Sequence, residues 1–221
     1  MKLYPYSAVF GVATAAIVSV VATPEQTQAA TFTLETGVTS VFLDLPTLQS
    51  VGLNLTGASG TVPPVSGDFL VGFTITPPTN FTFTTAGGFA PVSGTIEHSG
   101  SVTFNNALTV GNFSIGFDPA RAIGSASGFF VRDTITTGAA LFDVAAPESL
   151  AFNEQTLKLD LVADLLVSPE LAGVLGNAGL AGAEVGAASI NGTAVPEPAT
   201  IFGALAAGSF IAARRRLAKK G

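Results

Sequence analysis

The sequence predicts a mainly β protein: an antiparallel β-sandwich of jelly-roll or Greek-key type, set between an N-terminal signal helix and a short C-terminal transmembrane helix. Three observations predict it. Between Thr31 and Thr193 the apolar residues recur with a period of two. The alternating runs are bounded by Gly, Pro, Asn and Ser, and the chain holds 25 Gly and 13 Pro. Phe, Thr and Val, which suit a pleated, half-buried surface, fill the runs. Charged residues make up only 11 %, too few for ordinary disorder, which combines low hydrophobicity with high charge.

The N-terminal stretch opens with Lys2 and continues as an apolar run, Ala8 to Ala22. Thr23-Pro24 breaks that run, and small residues lead up to Ala29 and Ala30. This is the layout of a Sec-type signal peptide, residues 1–29, cleaved after Ala29 or Ala30. The apolar run falls short of the roughly 18–20 residues that span a bilayer.

The body covers residues 30–193. "TFTLET" places Phe32 and Leu34 on one face. "GDFLVGFTIT" places Phe69, Val71, Phe73 and Ile75 together, and "NFTFTT" does the same with Phe81 and Phe83. "GNFSIGF" aligns Phe113, Ile115 and Phe117, and "LKLDLVADLLV" aligns Leu157, Leu159 and Leu161. Such alternation marks strands with one face on a core and the other on water; about eight to eleven short strands over this length argue for an antiparallel sandwich or barrel. Two short helices interrupt them. Ser168 is an N-cap, Pro169 the first helical residue, and Gly176 the stop. Leu45 to Val51 is a second helix, ended by Gly52.

The C-terminal segment, residues 194–221, has three parts. Pro196-Glu197-Pro198 cannot continue a helix or a central strand, because neither proline has an N–H to donate; it is expected to present Glu197 on exposed, extended backbone. Residues 199–213 carry no charge and would span about 22 Å as a helix, a short membrane crossing suited to temporary retention. Arg214, Arg215 and Arg216 then act as a stop-transfer cluster, which the positive-inside rule leaves in the cytoplasm with the body outside.

Val195-Pro196-Glu197-Pro198, ahead of a short spanning helix and an Arg cluster, resembles the PEP-CTERM sorting signal. The same segment is also known as the ice-binding-protein C-terminal domain, a name that does not imply ice binding. The resemblance implies export in a Gram-negative bacterium that makes extracellular polysaccharide. It further implies processing near the Pro-Glu-Pro by an exosortase, then release or attachment at the cell surface. Residues 87–104 and 165–176 give the body a weaker resemblance to ectodomains of secreted bacterial proteins, which implies no catalytic activity.

Composition narrows the chemistry. There is no Cys, so disulfides and thiolate sites are excluded. Between Thr31 and Val195 only Arg121, Arg132 and Lys158 oppose thirteen acids, a formal charge of −10. Such a body lacks the cationic footprint of a nucleic-acid binder, and it is repelled by anionic lipid or polysaccharide unless divalent cations intervene. His98 is the sole imidazole. Its plainest reading is a polar residue flanking a turn near a strand end. The alternatives are a ligand to haem or metal, or the base of a triad, although Glu97 on the opposite strand face could not orient it. No Gly-x-Ser-x-Gly elbow, Asp-x-Asp calcium loop or phosphate cradle occurs; calcium at an inter-strand loop stays open as a cofactor beside the His98 alternative. The sequons at Asn54, Asn80, Asn112 and Asn191 read as strand and turn chemistry.

The function expected from these features is a non-enzymatic, exported envelope or matrix protein. It passes the Sec translocon, is held briefly in the inner membrane, is processed by exosortase and meets extracellular polysaccharide. Two other readings stand: a secreted carbohydrate- or small-ligand-binding module, which the lack of Trp disfavours, and a secreted hydrolase, which needs His98 or a paired set of carboxylates in a cleft.

Overall fold

The computed structural model describes residues 31–65 and 67–197. The signal segment, residues 199–213 and the basic tail lie outside the described residues. Among those described, no helix is long and apolar enough to cross a membrane.

Three long strands organise the body: β1 (Thr31–Leu43), β13 (Lys158–Val167) and β14 (Glu184–Pro196). β14 lies between the other two and pairs antiparallel with both. The outer edges of β1 and β13 are each shared by two partners. β1 pairs through 31–33 with β4 (Thr82–Thr84) and through 37–41 with β3 (Val71–Ile75). β13 pairs through 158–162 with β12 (Ser149–Asn153) and through 165–167 with β11 (Ala140–Ala145). Each edge therefore divides the molecule into two tiers.

In one tier the sheet closes. From β3 it runs through β6 (Ile96–Ser99), β9 (Ser114–Phe117) and β10 (Ala126–Arg132) to β11, β13 and β14, and so back to β1. The mainly β, antiparallel expectation holds, but the arrangement is barrel-like rather than a sandwich of two separate sheets. In the other tier β4 and β12 splay apart, and β5 (Ala90–Ser93) extends β4. Side chains seal that gap instead of hydrogen bonds. Phe152 of β12 meets Phe32 edge-on at 4.7 Å and Phe83 at 5.0 Å. Thr85 Oγ1 donates to Glu154 Oε1 across the same gap at 2.8 Å.

A second sheet of three strands, β2 (Leu55–Ser59), β7 (Ser101–Phe104) and β8 (Leu108–Gly111), arises from the same hairpin as β6 and β9. The hairpin bends where β6 passes into β7 at Gly100 and where β8 passes into β9 at Asn112. Gly100 has φ +111° and Asn112 φ +43°, left-handed values that release the chain from a flat ladder. These bends divide the hairpin into four short strands, and the described residues hold fourteen strands in all, more than the roughly eight to eleven expected. Val102, Phe104 and Val110 of the small sheet face the same interior space as the barrel strands, so the sheet covers that end of the core.

The local signals are met closely. Helix α1 (Leu45–Ser50) is capped by Asp44, whose side chain accepts from Thr47 N. Helix α2 (Pro169–Val174) is capped by Ser168, which accepts from Leu171 N, and Gly176 stands beyond it at φ +71°. Phe32, Leu34, Val71, Phe73, Ile75, Phe81, Phe83, Phe113 and Ile115 are buried as expected. Two expectations shift. Phe69 lies ahead of β3 in a segment that crosses the outside of β1, where Val65 N donates to the buried Ser40 Oγ at 3.0 Å. Phe117 is 39 % exposed at the end of β9 and packs on Phe129 at 5.0 Å instead.

The hairpin bend tolerates no side chain at Gly111, where a Cβ would sit 2.3 Å from Gly100 O and 2.5 Å from Ser101 Cα. Gly111→Ala is expected to cost about 1–3 kcal/mol, read by denaturant unfolding. Gly173→Ala, in α2 with open space around it, is expected to be neutral or stabilising.

Candidate functional site

His98 stands in β6 with Ile96 on the inward face. The expectation of a turn-flanking polar residue is corrected: His98 is 4 % exposed, because strand alternation carries it into the barrel. Its ring is fully engaged. Nδ1 lies 2.9 Å from Phe113 O and Nε2 2.7 Å from Thr39 Oγ1. A carbonyl only accepts, so Nδ1 carries the proton and Nε2 accepts from the Thr39 hydroxyl. Burial pushes the imidazole pKa down, against the opposing pull of the Phe113 hydrogen bond and the nearby Glu97 charge.

The space beside His98 is a cavity of ≈ 50 Å³, well below the roughly 300–1,000 Å³ of small-molecule pockets. All eight strands of the closed tier reach it, through side chains such as Val41, Phe73, Ile115, Val131, Phe142, Leu165 and Ala188. Thr39 and His98 satisfy one another, and the remaining walls are apolar. The arrangement pins β1 to β6 over the intervening β3 and offers no nitrogen to a substrate. Glu97 points away, accepting from Ser114 Oγ at 2.8 Å, as strand alternation requires.

Sequence reasoning missed two clusters. Asp133 is wholly buried. It accepts from the backbone N–H groups of Gly111, Ile135, Thr136 and Thr137 and from the Thr137 hydroxyl. Burial works against its charge, yet these donors outweigh it and hold the carboxyl below its ordinary range. The run Asp133-Thr-Ile-Thr-Thr-Gly138 carries the signal, since Asp and Thr side chains bond backbone two to four residues on.

The second cluster centres on Arg121, in a single 3-10 turn over Pro119–Arg121. Its Nε donates to Asp143 at 2.7 Å, and its two terminal nitrogens donate to the Glu170 carboxylate at 2.7 and 2.9 Å. The paired guanidinium holds Glu170 down to about 2 and is itself stabilised in its charged form, first by Glu170. An acid kept ionised in this way is the opposite of a general acid, which needs a raised pKa. Beside the cluster lies a surface cleft of ≈ 480 Å³ between Ile123–Ala126, Asp143, Pro169 and Gly182. Among the described residues no three His, Asp or Glu side chains gather to hold a metal ion. Asp160 is occupied by Asn191 Nδ2 at 2.7 Å.

Of the sorting residues, Val195, Pro196 and Glu197 are described, while Pro198, Arg214, Arg215, Arg216, Ala29 and Ala30 lie outside the described residues. β14 runs on to Pro196, past the expected body boundary at 193. Pro196 faces Phe32 of β1. Ala194 N donates to Leu157 O on the β13 side, and Glu197 N donates to Thr31 O on the β1 side at 2.9 Å. By alternation the missing N–H of Pro196 falls on the β13 side, beyond Thr193, the last residue of β14 to pair with β13. That is how a proline is accommodated at a strand end. Glu197 is half-buried, and Thr33 Oγ1 donates to its carboxylate. The expectation of a freely exposed Glu197 is corrected accordingly.

The four sequon asparagines all serve turns or strands: Asn54 bonds Asn105, Asn80 Oδ1 accepts from Thr95 N, Asn112 Oδ1 accepts from Gly100 N, and Asn191 bonds Asp160.

No protein-family model matches the chain, and no curated protein matches it. Among solved structures it is similar to the C-terminal domain of HtaA from Corynebacterium glutamicum, with a TM-score of 0.49 and 11 % identity, covering 74 % of this chain and 99 % of that one.

The His98 environment makes a signed prediction. A lowered folded-state pKa means that the unfolded chain binds the proton more readily, so this contribution is present above the unfolded value, about 6.5, and is lost as pH falls below it towards the lowered folded value. Thermal unfolding should therefore show stability declining below about pH 6.5. His98→Gln should lack that decline and cost about 1–3 kcal/mol at neutral pH.

Proposed function

We propose that this chain is an exported, non-enzymatic envelope or matrix protein, delivered through an N-terminal signal and a C-terminal Pro-Glu-Pro sorting segment. The observation that carries the reading is the meeting of the body's two ends. Thr31 O accepts from Glu197 N, so the backbone immediately after the expected signal cleavage and the backbone of the sorting motif are neighbours in one sheet. Both topogenic segments then leave the body at one point and can address the same membrane together. The barrel folds between them as a unit without covalent staples. The precursor is held in the inner membrane, and exosortase-type processing passes the body to the cell surface or the matrix.

An epitope inserted after Gly87, at an exposed turn with open space around it, tests this without disturbing β14. Fractionation is expected to recover the tagged body outside the cytoplasm, and mass spectrometry to find it trimmed near Ala29 or Ala30 and near Pro198. Full-length protein retained in the cytoplasm would overturn the reading.

A second reading, a small-ligand-binding module, is favoured by the cleft beside Arg121. Arg121 in the cleft wall is answered by Asp143 beside it and by Glu170 outside it, so among the described residues the site has no free cation for an anion and suits a neutral polyol or a cation. Calorimetric titration with a panel of neutral sugars, with and without calcium, is expected to show binding that Asp143→Asn weakens at least about five-fold. Heatless titrations throughout would remove it.

A further inference from the structure

We infer that the folded body restrains its own C-terminal processing: the first residues of β1 clamp Pro196 and Glu197, and a processing enzyme reaches the sorting motif only when the last residues of β14 peel away. The inference rests on the sorting role proposed above and adds a regulatory contact to it.

Three observations meet at the motif. Val195 and Pro196 are in register with Thr33 and Phe32 of β1. The Glu197 amide is spent on Thr31 O. The Glu197 carboxylate takes the Thr33 hydroxyl. Phe32, the residue opposite Pro196, is 4 % exposed and anchored by Phe83 and Phe152, so the clamp is rooted in the aromatic seal of the open tier. Peptide-cleaving enzymes bind their substrates as extended chain with free backbone groups, as in strand addition to a sheet edge. Here those groups are already paired on the β1 side. The β13 side cannot replace them, because Pro196 has no N–H to offer there.

Strand ends open locally at far lower cost than the whole fold, so the clamp slows access without abolishing it. The chemistry it regulates is peptide cleavage beyond Glu197. One backbone C–N bond breaks; water, or an acceptor amine in a transpeptidation, bonds the carbonyl carbon, and the departing nitrogen takes the proton. A body not yet closed has no β1–β14 ladder at its ends and is open to early cutting. A closed one is cut slowly and leaves its new C-terminus docked beside its new N-terminus.

The test uses the full-length chain in two measurements. Hydrogen exchange on the detergent-solubilised precursor is expected to show a protected Glu197 amide, exchanging about five-fold faster in Thr33→Val. Pulse-chase in a host with active processing is expected to show Thr33→Val maturing faster by a similar factor. Thr33→Ser, which keeps the hydroxyl, and Thr82→Val, whose hydroxyl serves Ser93, should behave as wild type. An unprotected Glu197 amide, or equal maturation of wild type and Thr33→Val, overturns the clamp while leaving the sorting role standing. Absence of processing in every chain overturns the sorting role, and the clamp falls with it.

Discussion

The fold depends on the placement of β14 between β1 and β13. It is the last strand of the body in chain order, yet both long strands take their inner edge from it. Without it β1 and β13 would be the open edges of a curled sheet, and the closed tier would have a gap on one side. Such long-range pairing carries the loop-closure entropy of nearly the whole body. The apolar interior, in which every strand of the closed tier meets at one small cavity, must offset that cost. Disulfides contribute nothing here, since the chain has no Cys.

The same arrangement explains the contrast between the two tiers. Where hydrogen bonds close the ring, the interior mixes aliphatic side chains with the edge-on pair Phe73 and Phe113, and one buried polar pair, Thr39 and His98, bridges β1 to β6. Where the ring is open, β4 and β12 have no ladder between them, and large aromatic faces substitute for one. Phe32, Phe83, Phe89 and Phe152 stack or meet edge-on within 4.7–5.7 Å. The gathering of these four Phe has a geometric cause: a bulky, non-directional filler suits a seam that backbone groups do not join.

Local chemistry was legible in the sequence, and distant pairing was not. Ser168-Pro169-Glu170 specified a helix start, because an N-cap acts within three residues. The alternation in β13 specified an inward face, because side-chain direction reverses at each step. The same rule put Ile96 and His98 on one face, so the burial of His98 was open to inference; its polarity argued the other way until Thr39, 59 residues earlier, supplied the partner. Closure of the sheet depends on which edges meet across the whole chain, and no pattern within a strand encodes that. Nor does any local signal join Arg121 to Glu170, 49 residues on. The Pro-Glu-Pro motif misled for a related reason. Proline forbids a central strand only where its N–H is needed, and here the neighbour that would need it has already ended.

The charge of the body governs how its surface meets other charged surfaces. Each of its three cations is engaged. Arg121 is bound by two carboxylates, Arg132 caps Gly138 O and lies over Phe130, and Lys158 donates to Thr193. Thirteen acids oppose them, so the surface has one dominant sign and few cationic points of attachment. Anionic lipid headgroups and acidic polysaccharides repel such a surface over about 8–10 Å at moderate ionic strength. A hold on such anionic surfaces would have to come from outside the acidic body, or from divalent cations bridging like charges. Under the proposed processing, removal of the basic tail would change the sign of the chain's C-terminal end as well as cut its tether. Under the proposed route the clamp on Glu197 forms only as the barrel closes, so the folded body would lose that attachment more slowly than one not yet closed.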